Sequence, residues 1–134
     1  MADLKGRCLC GGIEISLTSP KDDVCQCHCA QCRQWAGHNW ASVSCPVEGL
    51  KFDKGEDLVQ WYRSSEWARR GFCRTCGSSL FYHADRAESH KHKIAVAAGC
   101  LDAPTGLKTA EHIFCGTKGD YYEIADDLPK LDTH

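Results

Sequence analysis

Eleven of the 134 residues are cysteine, and eight of those eleven stand in tight groups: Cys8 and Cys10, Cys25 to Cys32, and Cys73 and Cys76. Spacing of this kind limits the fold, because each group must either form disulfides or converge on a metal. The need for such a tie is visible in the rest of the composition. Leu, Ile, Val and Phe together number 24, about 18% of the chain, which is thin for a core. A net charge of −2 removes the self-repulsion that would keep such a chain unfolded. The expectation is one small domain over 1–134 whose core is supplemented by bound metal or cross-links.

Metal is the better reading of the two. The opening residues, MADLKGRC, lack the apolar stretch of a secretory signal, so a reducing, cytoplasmic setting is expected. An odd number of cysteines also leaves one thiol over in a fully bridged monomer. The longest apolar run, 94–101, falls well short of the ~20 residues that span a bilayer, so no membrane partner is expected. With 16 basic and 18 acidic side chains, the chain has no field suited to nucleic acid.

Alternating apolar residues at Ile13, Ile15 and Leu17 predict a half-buried strand. Further short strands are expected at 39–44, 50–53, 58–63, 67–72, 79–83, 93–98, 111–115 and 121–124. One short helix is expected over 30–36, stopped by Gly37, with 85–92 as a turn or loop. The tail from Asp126 to His134 reads as a surface strap or a frayed end. The fold class is therefore mainly β, with short antiparallel strands and one helix.

Two thiolates three positions apart, Cys73 and Cys76, can face one ion on a tight turn, with Gly77 permitting the bend. A tetrahedral zinc needs four ligands, and Cys8-Leu9-Cys10-Gly11-Gly12 is the natural donor of the other two. Cys8, Cys10, Cys73 and Cys76 are thus expected to close one zinc site. Cys27, Cys29 and Cys32 can reach a second zinc. If 24–29 is extended, Cys25 shares their face, and whether it joins decides between a closed site and one with a position free for water or substrate. The isolated Cys45, Cys100 and Cys115 read as buried or half-buried thiols. Trp35, Trp40, Trp61 and Trp67 are expected mainly in the core. His28, His38, His83 and His112 are candidate proton carriers, with His28 and His38 favoured by their closeness to the second group. Arg69-Arg70 either holds a carboxylate or falls on two opposite faces of a strand.

These motifs in order, CxCGG from Cys8, CHCxxC from Cys27, RxFCxxCGSxLF from Arg70, GxLD from Gly99 and EHIFxxxKGDYYEIADxLP from Glu111, resemble the glutathione-dependent formaldehyde-activating enzyme family, which includes centromere protein V. The resemblance spans about Gly6 to Pro129. It implies a β-tent fold and two zinc ions per chain. Cys8, Cys10, Cys73 and Cys76 match the family's structural ligands; Cys27, Cys29 and Cys32 match its catalytic ones. The implied reaction joins glutathione to formaldehyde as S-hydroxymethylglutathione, a reversible carbon–sulfur lyase chemistry. Zinc with three thiolates carries −1 and a fourth makes it −2, so backbone N–H groups, Arg33, His28 or His38 are expected to compensate. A histidine, with His38 carried as the candidate catalytic residue, is expected to protonate the developing alkoxide.

Overall fold

A computed structural model describes residues 3–134. Ten strands and one helix follow in chain order: β1 (Leu4–Arg7), β2 (Glu14–Leu17), β3 (Asp23–Cys27), α1 (Ala30–Ala36), β4 (Trp40–Pro46), β5 (Leu50–Lys54), β6 (Val59–Arg63), β7 (Arg69–Cys73), β8 (Ser79–His83), β9 (Lys93–Ala97) and β10 (Lys108–Ile113). The chain is mainly β, as expected. Strands β1, β2 and β5 form a three-stranded sheet, and the remaining seven form a second in the order β10-β3-β4-β9-β8-β7-β6.

The alternation read from the sequence is what the sheets use. Ile15 and Leu17 of β2 point inward while Glu14 and Ser16 stay partly exposed, and Val43 and Cys45 do the same on β4. Leu4, Ile15, Leu17, Val43, Phe81 and Val96 draw residues of both sheets into one apolar cluster, and Cys8 and Cys73 belong to it. Each such large side chain removed from water contributes about 1.5–3 kcal/mol. Phe81 anchors the cluster, stacked at 5.8 Å on Trp61 and edge-on at 5.7 Å to Phe52. A smaller cluster gathers Cys32, Trp40 and Ala97, with Cys27, Cys29, Trp35, Tyr82 and Cys100 packed on it.

Gly55 fixes the approach of β5 to the first cysteine knuckle. Its φ is 77°, and a Cβ there would lie 2.0 Å from the carbonyl oxygen of Gly12. Only glycine permits both the left-handed backbone and this contact. The helix forms where expected: Cys29 caps its start by accepting from the Cys32 N–H at 3.3 Å. Gly37, at φ 88°, ends it by donating to the Arg33 carbonyl.

Four expectations are corrected. Strands β1 and β3 were not among those expected, because Leu4–Arg7 is short and glycine-containing and 23–27 is mostly cysteine and polar. Strand β10 pairs with β3 in parallel, Lys108 opposite Asp23 and Ile113 opposite Cys27, since alternation carries no information on strand direction. Residues 121–124 form no strand; Tyr122 turns onto His28, and Lys118 Nζ donates to the Tyr122 carbonyl at 2.7 Å. Trp67 is 56% exposed rather than core. The tail is a strap: Leu131 N–H donates to the His112 carbonyl, and Phe114 N–H to that of Thr133. Among the described residues no helix is long and apolar enough to cross a membrane.

Candidate metal centres

The turn after β1 and the turn after β7 face one another, so Cys8, Cys10, Cys73 and Cys76 converge with their four sulfurs within 4.8 Å of each other. Zinc–sulfur bonds near 2.3 Å place tetrahedral thiolates about 3.8 Å apart. The Cys8–Cys10 separation is 3.6 Å and the Cys10–Cys73 separation 3.9 Å, so this donor set fits a tetrahedral ion. The hydrogen bonds onto these sulfurs come from neutral groups. Ile13 N–H donates to Cys8 at 3.3 Å, Gly12 N–H to Cys10 at 3.4 Å, and Cys76 N–H to Cys73 at 3.5 Å. Although burial opposes it, contact with Ser78 at 3.2 Å helps to draw the Cys76 thiol down to about 5.

A second group comes from the end of β3 and the first turn of α1, where the sulfurs of Cys27, Cys29 and Cys32 also lie within 4.8 Å of each other. Hydrogen bonds from Cys27 and then Cys32 draw the Cys29 thiol down to about 2. The contact with Cys29, joined by Cys32 and burial, pushes Cys27 far up. A metal held by all three sulfurs requires each of them as thiolate, and its binding releases their protons. Cys27 and Cys29 are half-buried and Cys32 buried.

Cys25 is outside this trio. Two residues along a strand advance the chain by about 6.6 Å, and its sulfur is not among those gathered. Burial, with Glu111 and Asp23 nearby, pushes this thiol up to about 11. Of the isolated thiols, Cys45 is buried and Cys100 and Cys115 half-buried, with Cys100 pushed up to about 12 by burial.

The cation beside the trio is Arg70, which sequence reasoning had not placed there. It is 3% exposed and donates through Nη2 to Cys32 Sγ at 3.5 Å and through Nε to Gln31 Oε1 at 2.9 Å. Arg69 faces the other way, 4.0 Å above the Trp61 ring and 3.6 Å from Asp85, so the arginines do take opposite strand faces. Arg33 donates to the carbonyls of His28 and Thr117, both at 3.1 Å, and no sulfur is among its hydrogen-bond partners.

The histidines form a separate array. Buried His28 contacts Tyr122 Oη at 2.6 Å and His112 Nδ1 at 2.8 Å, and His112 Nε2 meets Asp126 at 2.8 Å. Burial, then His112, lowers the pKa of His28 and favours its neutral form. His38 contacts Tyr121 Oη at 2.8 Å and rests against Tyr122. With His28 and His112 it lines a cavity of about 190 Å³ that the three cysteines do not line. His83 Nε2 donates to the Lys91 carbonyl. A larger open groove of about 740 Å³, not lined by the three cysteines, shares Trp40, Ala97 and Cys100 with the packing around the trio and also passes Arg7, Asn39 and Asp102. Its size suits a small organic ligand.

The fold and these thiol clusters define a class of small β proteins with two sites able to hold a metal. Residues 3–117 match the family described as glutathione-dependent formaldehyde-activating enzyme, and the chain belongs to that family. It is 30% identical over 82 residues to a Schizosaccharomyces pombe protein described as an uncharacterized lyase, covering 61% of this chain. The match spans 58% of the length of that curated relative. A crystal structure of a Rhodobacter sphaeroides protein, a structural-genomics target, is similar in fold, with a TM-score of 0.64 at 23% identity. That likeness covers 79% of this chain and 99% of the other.

Proposed function

We propose that the chain is a zinc-dependent carbon–sulfur lyase of the formaldehyde-activating type, joining glutathione or a similar thiol to formaldehyde or another small aldehyde. Family membership supports the reaction class. The observation that carries the reading is the trio itself: three converging sulfurs, two of them half-buried, with Cys25 left out. Cys8, Cys10, Cys73 and Cys76 are read as ligands of a structural zinc, and Cys27, Cys29 and Cys32 as ligands of a catalytic one. The two sheets, joined by a shared core, are read as the family's β-tent.

Zinc held by three protein ligands supplies Lewis acidity and an open position, lowering the cost of ionising a thiol. The chain's own part is placement and charge. Trp40, Ala97 and Cys100 belong both to the groove and to the packing around the trio, and this shared edge is where the body of the thiol substrate is proposed to rest. Holding thiol and aldehyde together removes most of the entropic cost of their meeting. In the reaction the sulfur–carbon bond forms, the carbonyl π bond breaks, and the proton lost by the thiol is made good on the new hydroxyl oxygen. His38 is carried as the proton carrier to be tested, although the smaller cavity it lines is not lined by the three cysteines.

Cys29→Ser tests the assignment. The variant is expected to fold, to hold one zinc instead of two, and to lose adduct formation from glutathione and formaldehyde followed by proton NMR. A Cys29→Ser protein that keeps two zinc ions and full activity contradicts the reading.

A further inference from the structure

Arg70 has no carboxylate partner among the described residues. Its surroundings are Gln31, the Cys32 sulfur and the faces of Trp35 and Tyr82, each ring centroid 4.9 Å from the guanidinium carbon. One of its donors, Nη1, is buried and without a hydrogen-bond partner. A buried charge costs several kcal/mol unless an opposite charge answers it. An amide oxygen and two aromatic faces soften that cost without cancelling the charge. Among the described residues, the source of negative charge against Arg70 is the sulfur cluster.

We propose that Arg70 is the fixed counter-ion of the Cys27, Cys29 and Cys32 centre, a positioning residue whose guanidinium offsets the charge of a metal held there by three thiolates and so favours the entry of an anionic ligand from outside. The inference deepens the function proposed above and rests on it. Charge counting supports it. A divalent ion with three thiolates carries −1, and Arg70 returns the buried assembly to neutrality. A thiolate substrate then adds one negative charge to a neutral centre, whereas without Arg70 it would add to one already negative. The buried Nη1 donor has no hydrogen-bond partner among the described residues, as expected of a guanidinium whose opposing charge is supplied when the centre is filled.

The other centre provides the contrast within the same molecule. Its hydrogen-bond donors are backbone N–H groups and the Ser78 hydroxyl, which suits a closed four-thiolate site that admits nothing further. Among the described residues, a cation donates to a sulfur where three sulfurs meet and not where four do.

The test compares Arg70→Gln and Arg70→Lys in the full chain, measuring the zinc affinity of each centre by competition with a chromophoric chelator. Partners beyond the ligands themselves are typically worth about 10–100-fold in metal affinity. Arg70→Gln is expected to lose affinity in that range at the second centre alone, and Arg70→Lys, which keeps the charge, to regain most of it. Second-centre affinity within about threefold of the parent in Arg70→Gln overturns the inference. So does an Arg70→Lys variant as weak as Arg70→Gln, or equal losses at both centres, since either outcome marks a packing role. Zinc affinity is read without substrate, so a parent protein that binds no glutathione would sink the lyase reading and leave this comparison intact.

Discussion

Cys25 and Cys27 are neighbours on one face of β3 by the two-residue period of a strand, yet one sulfur joins the trio and the other does not. The spacing in the sequence pointed to both groups of cysteines that the fold gathers. It left Cys25 open, because the choice rests on a few ångströms of reach that no motif records. Arg70 was hidden for a different reason: its partners Gln31 and Cys32 lie 39 and 38 positions away in the chain. A pair of arginines on a strand shows which faces they take and not what waits across the sheet. Cys25→Ser is therefore expected to leave two zinc ions per chain and the thiol affinity within about twofold of the parent, because its sulfur is not among those gathered with the trio. Metal analysis and a glutathione titration check this, and loss of the second zinc would make Cys25 a ligand.

At the scale of elements, period-two alternation located β2 and the central strands of the large sheet, and Gly37 located the end of α1. Direction and order were not legible. The parallel β10–β3 pair joins segments more than eighty residues apart, and its effect is to set His112 of β10 against His28 beyond the end of β3. The far edge of the same sheet is fastened by Asp85, which accepts from Arg63 of β6 at 2.7 and 2.9 Å and faces Arg69 of β7. Hydrogen bonds from Arg63, opposed by burial and aided by the charges of Arg63 and Arg69, hold the Asp85 carboxyl down at about 2. Its folded value is below its unfolded one, so its contribution is present above about pH 4 and is lost as pH falls toward about 2. Arg63→Gln is expected to lower the melting temperature at pH 7 and to narrow that gap as the pH approaches 2, measured by circular dichroism. A gap independent of pH would show that the pair contributes nothing through charge.

Across the whole molecule, a thin aliphatic core is consistent with the way the two sheets are joined. The cluster of Cys8, Cys10, Cys73 and Cys76 ties the loop after β1 to the turn between β7 and β8 at the border of the shared core. The second cluster belongs to a separate, smaller packing group in which Trp35, Trp40 and Tyr82 pack with the trio. Mainly β architecture and two clusters of thiols were legible in advance. The C-terminal strap was one of the two readings of the tail, whereas the groove and the pairing of the histidines were not legible, because each is assembled from segments distant in the chain. The account turns on the second centre accepting a thiol from outside. Isothermal titration of glutathione into the reduced, zinc-loaded protein, repeated in buffers of different ionisation enthalpy, tests this most directly. Saturable binding of one glutathione per chain with release of a proton is the predicted result. Absence of binding heat with both zinc ions in place would contradict it.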